Sequence, residues 1–155
     1  DAFIKNPDRN NGNWGLLMDV GRSYELAPVY DLGSSLFSKR SPSLAESRLT
    51  GDENIEQDAF GTNVSCYRLP SEDGRGRAIH PFEYLASTRN PDLDAALVRF
   101  VETVDMEAVC ALIDSVPAEA FGRVLMTEGV RSSHKLLLRR RLEDGFLPVY
   151  RRITG

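Results

Sequence analysis

The residues best equipped for chemistry lie close together near the start of the chain. Asp8, Asn10 and Asn13 fall in the run Asn6-Pro7-Asp8-Arg9-Asn10-Asn11-Gly12-Asn13-Trp14-Gly15, and a second acid, Asp31, comes after it in Pro28-Val29-Tyr30-Asp31. A carboxylate can accept a proton from a hydroxyl. A second carboxylate and an amide oxygen are the hard ligands that Mg²⁺ accepts while it keeps part of its water shell. Phosphoryl transfer from a nucleotide to a hydroxyl uses this combination: a base beside the nucleophile, and oxygen ligands that hold the metal across the phosphates. Asp, Asn and Gly are also ordinary turn residues, so a plain polar loop is the alternative reading of the same run.

Such residues need elements that bring them to one place. Gly15-Leu16-Leu17-Met18 and Ser23-Tyr24-Glu25-Leu26, joined by Asp19-Val20-Gly21-Arg22, read as a β-hairpin, with Gly21 the natural site for a positive φ. Asn13 precedes the first strand and Asp31 lies beyond the second, so a hairpin folds both toward one cavity with Asp8 at its rim. A shared Mg²⁺ would set the two ligand oxygens about 3 to 5 Å apart. All three side chains are then expected on an open shelf, partly exposed. Trp14, opening a strand, and Tyr30 read as core residues.

The rest of the chain divides by texture. Residues 37–51 are basic and Ser-rich with no period, an exposed loop or short helix in which Ser38, Ser41, Ser43 and Thr50 are candidates for modification. Residues 52–60 suit a brief helix and 71–77 a turn. Gly74-Arg75-Gly76 lacks the strand-to-helix setting of a phosphate cradle. From Arg77 onward the pattern is helical. Asn90-Pro91-Asp92 caps a helix reaching Val104, and Asp105 caps a second that Pro117 closes. A longer helix is expected over 124–142, with Gly145 and Pro148 kinking or interrupting the chain before Tyr150. His80 reads as a helix-start residue and His134 as a surface residue.

Composition narrows the class. The chain has 155 residues, 41% hydrophobic and 27% charged, with a net charge of −4. At this length folding buries roughly 70% of the unfolded chain's surface, enough for a core without disulfides or structural zinc. Cys66 and Cys110, with two histidines in all, form neither a disulfide framework nor a zinc motif. No run is apolar enough for a transmembrane span or signal peptide. The acidic total argues against bulk nucleic-acid binding. Arg131, Lys135, Arg139, Arg140, Arg141, Arg151 and Arg152 nevertheless make the last 25 residues basic. They suit either a nucleic-acid or partner face, or the simple offset of a helix dipole by cations.

The Asp8 to Asn13 spacing matches the D-x-x-x-x-N of protein-kinase catalytic loops. The longer runs Asp8-Arg9-Asn10-Asn11-Gly12-Asn13-Trp14-Gly15 and Leu26-Ala27-Pro28-Val29-Tyr30-Asp31-Leu32-Gly33-Ser34-Ser35-Leu36 resemble the HipA-like serine/threonine kinases, with their D-R-H-x-x-N-W-G and L-A-P-x-Y-D-x-G-S-S-L segments. The resemblance implies Asp8 as catalytic base, Asn13 and Asp31 as Mg²⁺ ligands, and ATP as nucleotide, with Asn10 facing the cofactor where the family usually has His. It implies a mainly α fold with a small β-hairpin, a protein-kinase-like C-lobe over 1–155. Within it, 1–36 carry the catalytic loop, hairpin and metal segment, 37–76 an activation-loop-like region, and 77–155 a helical subdomain. The phosphate loop and phosphate-pairing lysine would belong to an N-lobe absent from this sequence. It further implies a bacterial, cytoplasmic protein acting on a protein substrate, an antitoxin as candidate partner, and a fragment that is inactive alone. The rival is a non-catalytic module of the same fold, such as a pseudokinase lobe or an antitoxin- or nucleic-acid-binding domain.

Overall fold

The computed structural model describes residues 1–61, 65 and 67–155. Cys66 therefore lies outside the described residues, and Cys110 is a half-buried free thiol. The chain folds as two compact units, one of residues 1–38 and 63–81, the other of 39–62 and 82–155. The fold is mostly helical with small hairpins.

The first unit is built on hydrogen bonds. Strands β1 (Leu16–Met18) and β2 (Tyr24–Leu26) pair antiparallel, Leu16 opposite Leu26. The expected hairpin is present, but its positive φ falls at Arg22 (64°) and not at Gly21. Asp19 explains the shift. Its backbone pairs with Ser23 and its carboxylate accepts from the Ser23 amide and hydroxyl, leaving a three-residue loop whose last position must be left-handed. Those Ser23 bonds also hold the Asp19 carboxyl below its ordinary pKa. A second hairpin, β3 (Arg68–Leu69) with β4 (Arg77–Ala78), flanks the turn expected over 71–77. Among the described residues, the buried ones of this unit are Lys5, Asn6 and Asn13, all polar, whereas Trp14, Leu16, Leu17, Met18, Tyr24 and Leu26 are exposed. Trp14 is 48% and Tyr30 44% exposed, so neither is a core residue. Short strands with no described element packed over them leave large side chains in water.

The second unit holds the buried apolar side chains Ala45, Ala59, Leu85, Leu97, Ile113, Leu137, Leu138, Phe146 and Val149. It comprises α1 (Pro42–Ser47), α2 (Asp52–Glu56), which runs into a π-helical turn (Gln57–Gly61), then α3 (Pro81–Ser87), α4 (Pro91–Thr103), α5 (Met106–Ser115), a small hairpin β5 (Glu119–Ala120) with β6 (Arg123–Val124), α6 (Glu128–Arg140), a second π-helical stretch (Arg141–Phe146) and α7 (Leu147–Thr154). Asn90 and Asp105 cap α4 and α5 through their side chains, as expected. The long helix starts later than 124, because Thr127 caps it through the Val130 amide and the residues before it turn back as β6. Helix α6 packs against α1 and α5, and α4 against α7. Gly129 permits the first contact: a Cβ there would stand 2.0 Å from the Glu46 side chain. Gly145 permits another, since a Cβ would lie 2.3 Å from the Phe82 ring, which stacks edge-on between Phe60 and Phe146. The π-helical stretch carries Gly145 to that ring, and Pro148 sits in the first turn of α7, where no amide donor is needed. Among the described residues, no helix is long and apolar enough to cross a membrane.

The basic stretch near the end is largely used up inside this unit. Arg131 is buried and donates to the carbonyls of Ile113, Asp114 and Val116 at the end of α5. Arg141 has no exposed surface, lies over the Phe82 ring and donates to the Ala59 carbonyl. Burial lowers its pKa to about 10. Lys135 pairs with Asp114, Arg140 with Asp144, and Arg152 with Asp94. Arg131 and Arg141 thus leave the exposed basic face the sequence suggested. His134 is not a surface residue either: it is half-buried, and burial together with the nearby Arg40 charge lowers its pKa.

Candidate active site

All the site residues singled out in the sequence lie in the first unit. The loop 6–15 is tied by its own side chains. The Asp8 amide donates to Asn6 Oδ1 (3.2 Å), and the Gly12 amide donates to Asn10 Oδ1 (2.8 Å). Asn13 Nδ2 donates to the Asp8 carbonyl at 2.6 Å. This bond closes the loop across the four residues between the two candidates and commits Asn13 Nδ2, while Asn13 Oδ1 accepts no hydrogen bond among the described residues. Asn13 is buried, 7% exposed, and not on an open shelf as expected, because holding the Asp8 carbonyl draws its amide inward. Asp8 and Asp31 are exposed as expected. Asn10 Nδ2 lies 3.2 Å from the Asp8 carbonyl and 3.3 Å from its carboxylate, so this amide stands beside the candidate base.

Asp31 is brought to the loop by two residues to which the sequence alone assigns no role at the site. Arg9 Nη1 donates to the Asn13 carbonyl (2.5 Å) and to the Tyr30 carbonyl (2.6 Å). Those two oxygens are therefore at most about 5 Å apart. The Tyr30 hydroxyl in turn donates to the Gly12 carbonyl (3.1 Å). The other edge of the Arg9 guanidinium grips the Asp1 carboxylate through Nε (2.9 Å) and Nη2 (3.0 Å). Asp31 comes directly after Tyr30 with φ 54°, a left-handed conformation that costs a non-glycine residue roughly 1–3 kcal/mol and persists only where its surroundings impose it. The backbone carbonyls that Arg9 and Tyr30 use have no side-chain signature. Arg9's place inside the motif, next to Asp8, is the one sequence signal that points to it.

Asn13 also lines a cavity of about 490 Å³, with Ile4, Trp14, Leu26, Val29 and Leu32 among its apolar walls. Both acids are exposed while Asn13 is turned into the loop, and neither Asp8 nor Asp31 lines this cavity, so it is not the common one the sequence led us to expect. Tyr67 closes its edge and donates to Asn11 Oδ1 at 3.3 Å. The candidate donors are the Asp8 and Asp31 carboxylates and the Asn13 amide oxygen, chemistry that suits a hard oxygen-seeking cation and offers no soft ligand.

No protein-family model matches the chain. In sequence it is 31% identical over 121 residues, 76% of its length, to serine/threonine-protein kinase CtkA of Helicobacter pylori (strain J99), of which it spans 35%. In structure it matches a crystal structure of a Helicobacter pylori proinflammatory kinase CtkA with a TM-score of 0.83 at 25% identity, over 99% of this chain and 52% of that one. The chain thus spans about a third of the curated relative and about half of the solved one. By sequence and by fold, it is homologous to part of a serine/threonine-protein kinase.

Proposed function

We propose that this chain is the catalytic C-lobe of a HipA-like serine/threonine kinase, which transfers the γ-phosphoryl group of ATP to a hydroxyl of a protein substrate with Mg²⁺. The observation that carries the reading is the Asn13 amide bonded to the Asp8 carbonyl, which ties the candidate ligand to the candidate base's own backbone and leaves Asn13 Oδ1 without a donor among the described residues. The kinase similarity and the two motif segments support the same assignment.

Asp8 accepts the proton of the attacking hydroxyl, and its exposure leaves room for a protein substrate. Asn13 and Asp31 hold the metal, which when bound offsets the charge that develops on the phosphates. Asn10 keeps an amide against the Asp8 carboxylate in place of the family's usual histidine, steadying the base without adding a proton-transfer group. The exposed apolar hairpin is consistent with a second lobe as its partner, since leaving such side chains in water forfeits about 25 cal/mol per Å² of buried apolar area. That lobe would supply the phosphate loop and lysine. An antitoxin is a candidate partner of the HipA-like type.

The rival reading, a non-catalytic interaction module, draws on Asn10 standing where the family has His, and on the exposed Arg139 and Arg151. One experiment separates the two. The protein carrying this chain is incubated with γ-labelled ATP, Mg²⁺ and a generic protein acceptor. Label on serine or threonine that disappears in Asp8→Asn supports the kinase; equal labelling by wild type and Asp8→Asn, or none by either, supports the module.

A further inference from the structure

The motif arginine has no part in the chemistry just described, yet it makes the densest set of contacts in the loop. We propose that Arg9 is the positioning residue of the metal site, fixing the separation of Asn13 and Asp31 before any ion arrives; this rests on the reading of those two residues as ligands. Three features of the geometry point to it. Nη1 is shared between the Asn13 carbonyl and the Tyr30 carbonyl, so one rigid planar group spans the backbone of the first ligand and the residue just before the second. The Nε and Nη2 edge is locked on Asp1, whose carboxylate also accepts from Asn6 Nδ2 at 3.1 Å, anchoring the fork to the base of the catalytic loop. The side chain is only 14% exposed, so the fork is enclosed.

The charge arithmetic fits the same role. A lone cation beside a divalent-metal site would repel the ion, but Asp1 neutralises Arg9 within hydrogen-bond distance. The pair therefore orders the ligands with little electrostatic penalty to the metal. Lysine cannot replace it. A single ammonium lacks the fork that reaches two carbonyls and a carboxylate at once. Asp31 sits at φ 54°, a conformation that needs an external hold, and the Arg9 bond to the preceding carbonyl provides one.

The test measures metal binding directly. In the full-length protein carrying this chain, Mn²⁺ is titrated by electron paramagnetic resonance in the presence of a non-hydrolysable ATP analogue, for wild type, Arg9→Lys, Asp1→Asn, Asn13→Ala and Asp31→Asn. Thermal unfolding and amide exchange over 30–32 are recorded on the same samples. Arg9→Lys is expected to weaken Mn²⁺ binding about 10- to 100-fold, the usual cost of losing a group that orients a metal ligand. Amide exchange at Asp31 should quicken with it, while binding of the analogue without metal stays unchanged. Asp1→Asn should shift Mn²⁺ affinity in the same direction by less, and it decides the matter by the same comparison if Arg9→Lys does not fold. Wild-type Mn²⁺ affinity in a folded Arg9→Lys or, failing that, Asp1→Asn protein overturns the inference alone, provided Asn13→Ala and Asp31→Asn lose binding. Wild-type affinity in those two ligand variants overturns both the inference and the metal reading on which it rests.

Discussion

Replacing Asp58 by asparagine changes one atom of the second unit and removes the charge on which two arginines converge. Arg40 reaches the carboxylate at 2.5 and 3.0 Å, and Arg48 at 2.9 and 3.3 Å. The Asp58 side chain is 11% exposed, Arg40 14% and Arg48 26%. Removing one partner of a buried ion pair costs roughly 3–5 kcal/mol, because the remaining charge is left uncompensated, and the partial exposure of Arg48 puts Asp58→Asn at the lower end, about 3 kcal/mol. For a chain of this length that is about 6–12 °C in the unfolding midpoint. The pH dependence has a definite sign. Burial pushes the Asp58 carboxyl up, but the hydrogen bonds and charges of Arg40 and Arg48 outweigh it and hold its pKa below the ordinary value. Its stabilisation is then complete above the unfolded carboxyl's pKa of about 3.9 and is lost as pH falls through the lower folded value. Urea denaturation of wild type and variant at pH 7 and in a series of acidic buffers measures both effects. A loss under about 1 kcal/mol at pH 7, well short of the cost of an uncompensated buried charge, or a difference that fails to shrink in acid, would refute the reasoning.

Asp8→Ala in the protein carrying this chain should lower turnover by roughly 10²- to 10⁴-fold with little change in KM for ATP, read in a steady-state phosphorylation assay. The 155 residues alone should transfer no measurable phosphate in the same assay, because positioning supplies much of the rate and the second lobe is needed for it. Arg131→Met should destabilise by about 3 kcal/mol in urea, since three carbonyls at the end of α5 lose charge-assisted donors while the apolar stem is kept. His134 is held neutral by burial and by Arg40, so its contribution to stability is present above about pH 6.5 and declines as pH falls from there through its lower folded value. His134→Gln should flatten the stability profile in that window.

The legible parts of the fold are those written in side chains with local partners. Asn90 and Asp105 cap their helices through bonds to amides two and three residues on, so spacing alone locates α4 and α5. The β1–β2 hairpin shows in two short runs rich in large side chains, Leu16-Leu17-Met18 and Tyr24-Glu25-Leu26, on either side of a polar, glycine-bearing connection. Its turn departs from the expected glycine turn because Asp19's side chain sets the loop. The seven cations near the end look like one face, yet Arg131 and Arg141 point inward at carbonyls contributed by distant residues, a demand invisible in a linear sequence. The same holds at the site. Asp8, Asn13 and Asp31 stand out by residue type, whereas Arg9 and Tyr30 act on backbone oxygens that every residue possesses. Trp14 illustrates the opposite error: an aromatic at a strand start implies core only where a second layer covers the strand, and here it lines a cavity.

The metal site itself offers the most direct check. Crystals of the protein carrying this chain, grown with Mn²⁺ and a non-hydrolysable ATP analogue, would locate the ion by its anomalous scattering. The account predicts an anomalous peak about 2.1 Å from both Asn13 Oδ1 and an Asp31 carboxylate oxygen, with Asp8 facing the terminal phosphate across an open approach for a hydroxyl. A nucleotide bound with its metal on other residues, leaving Asn13 and Asp31 without ligand contact, would contradict it.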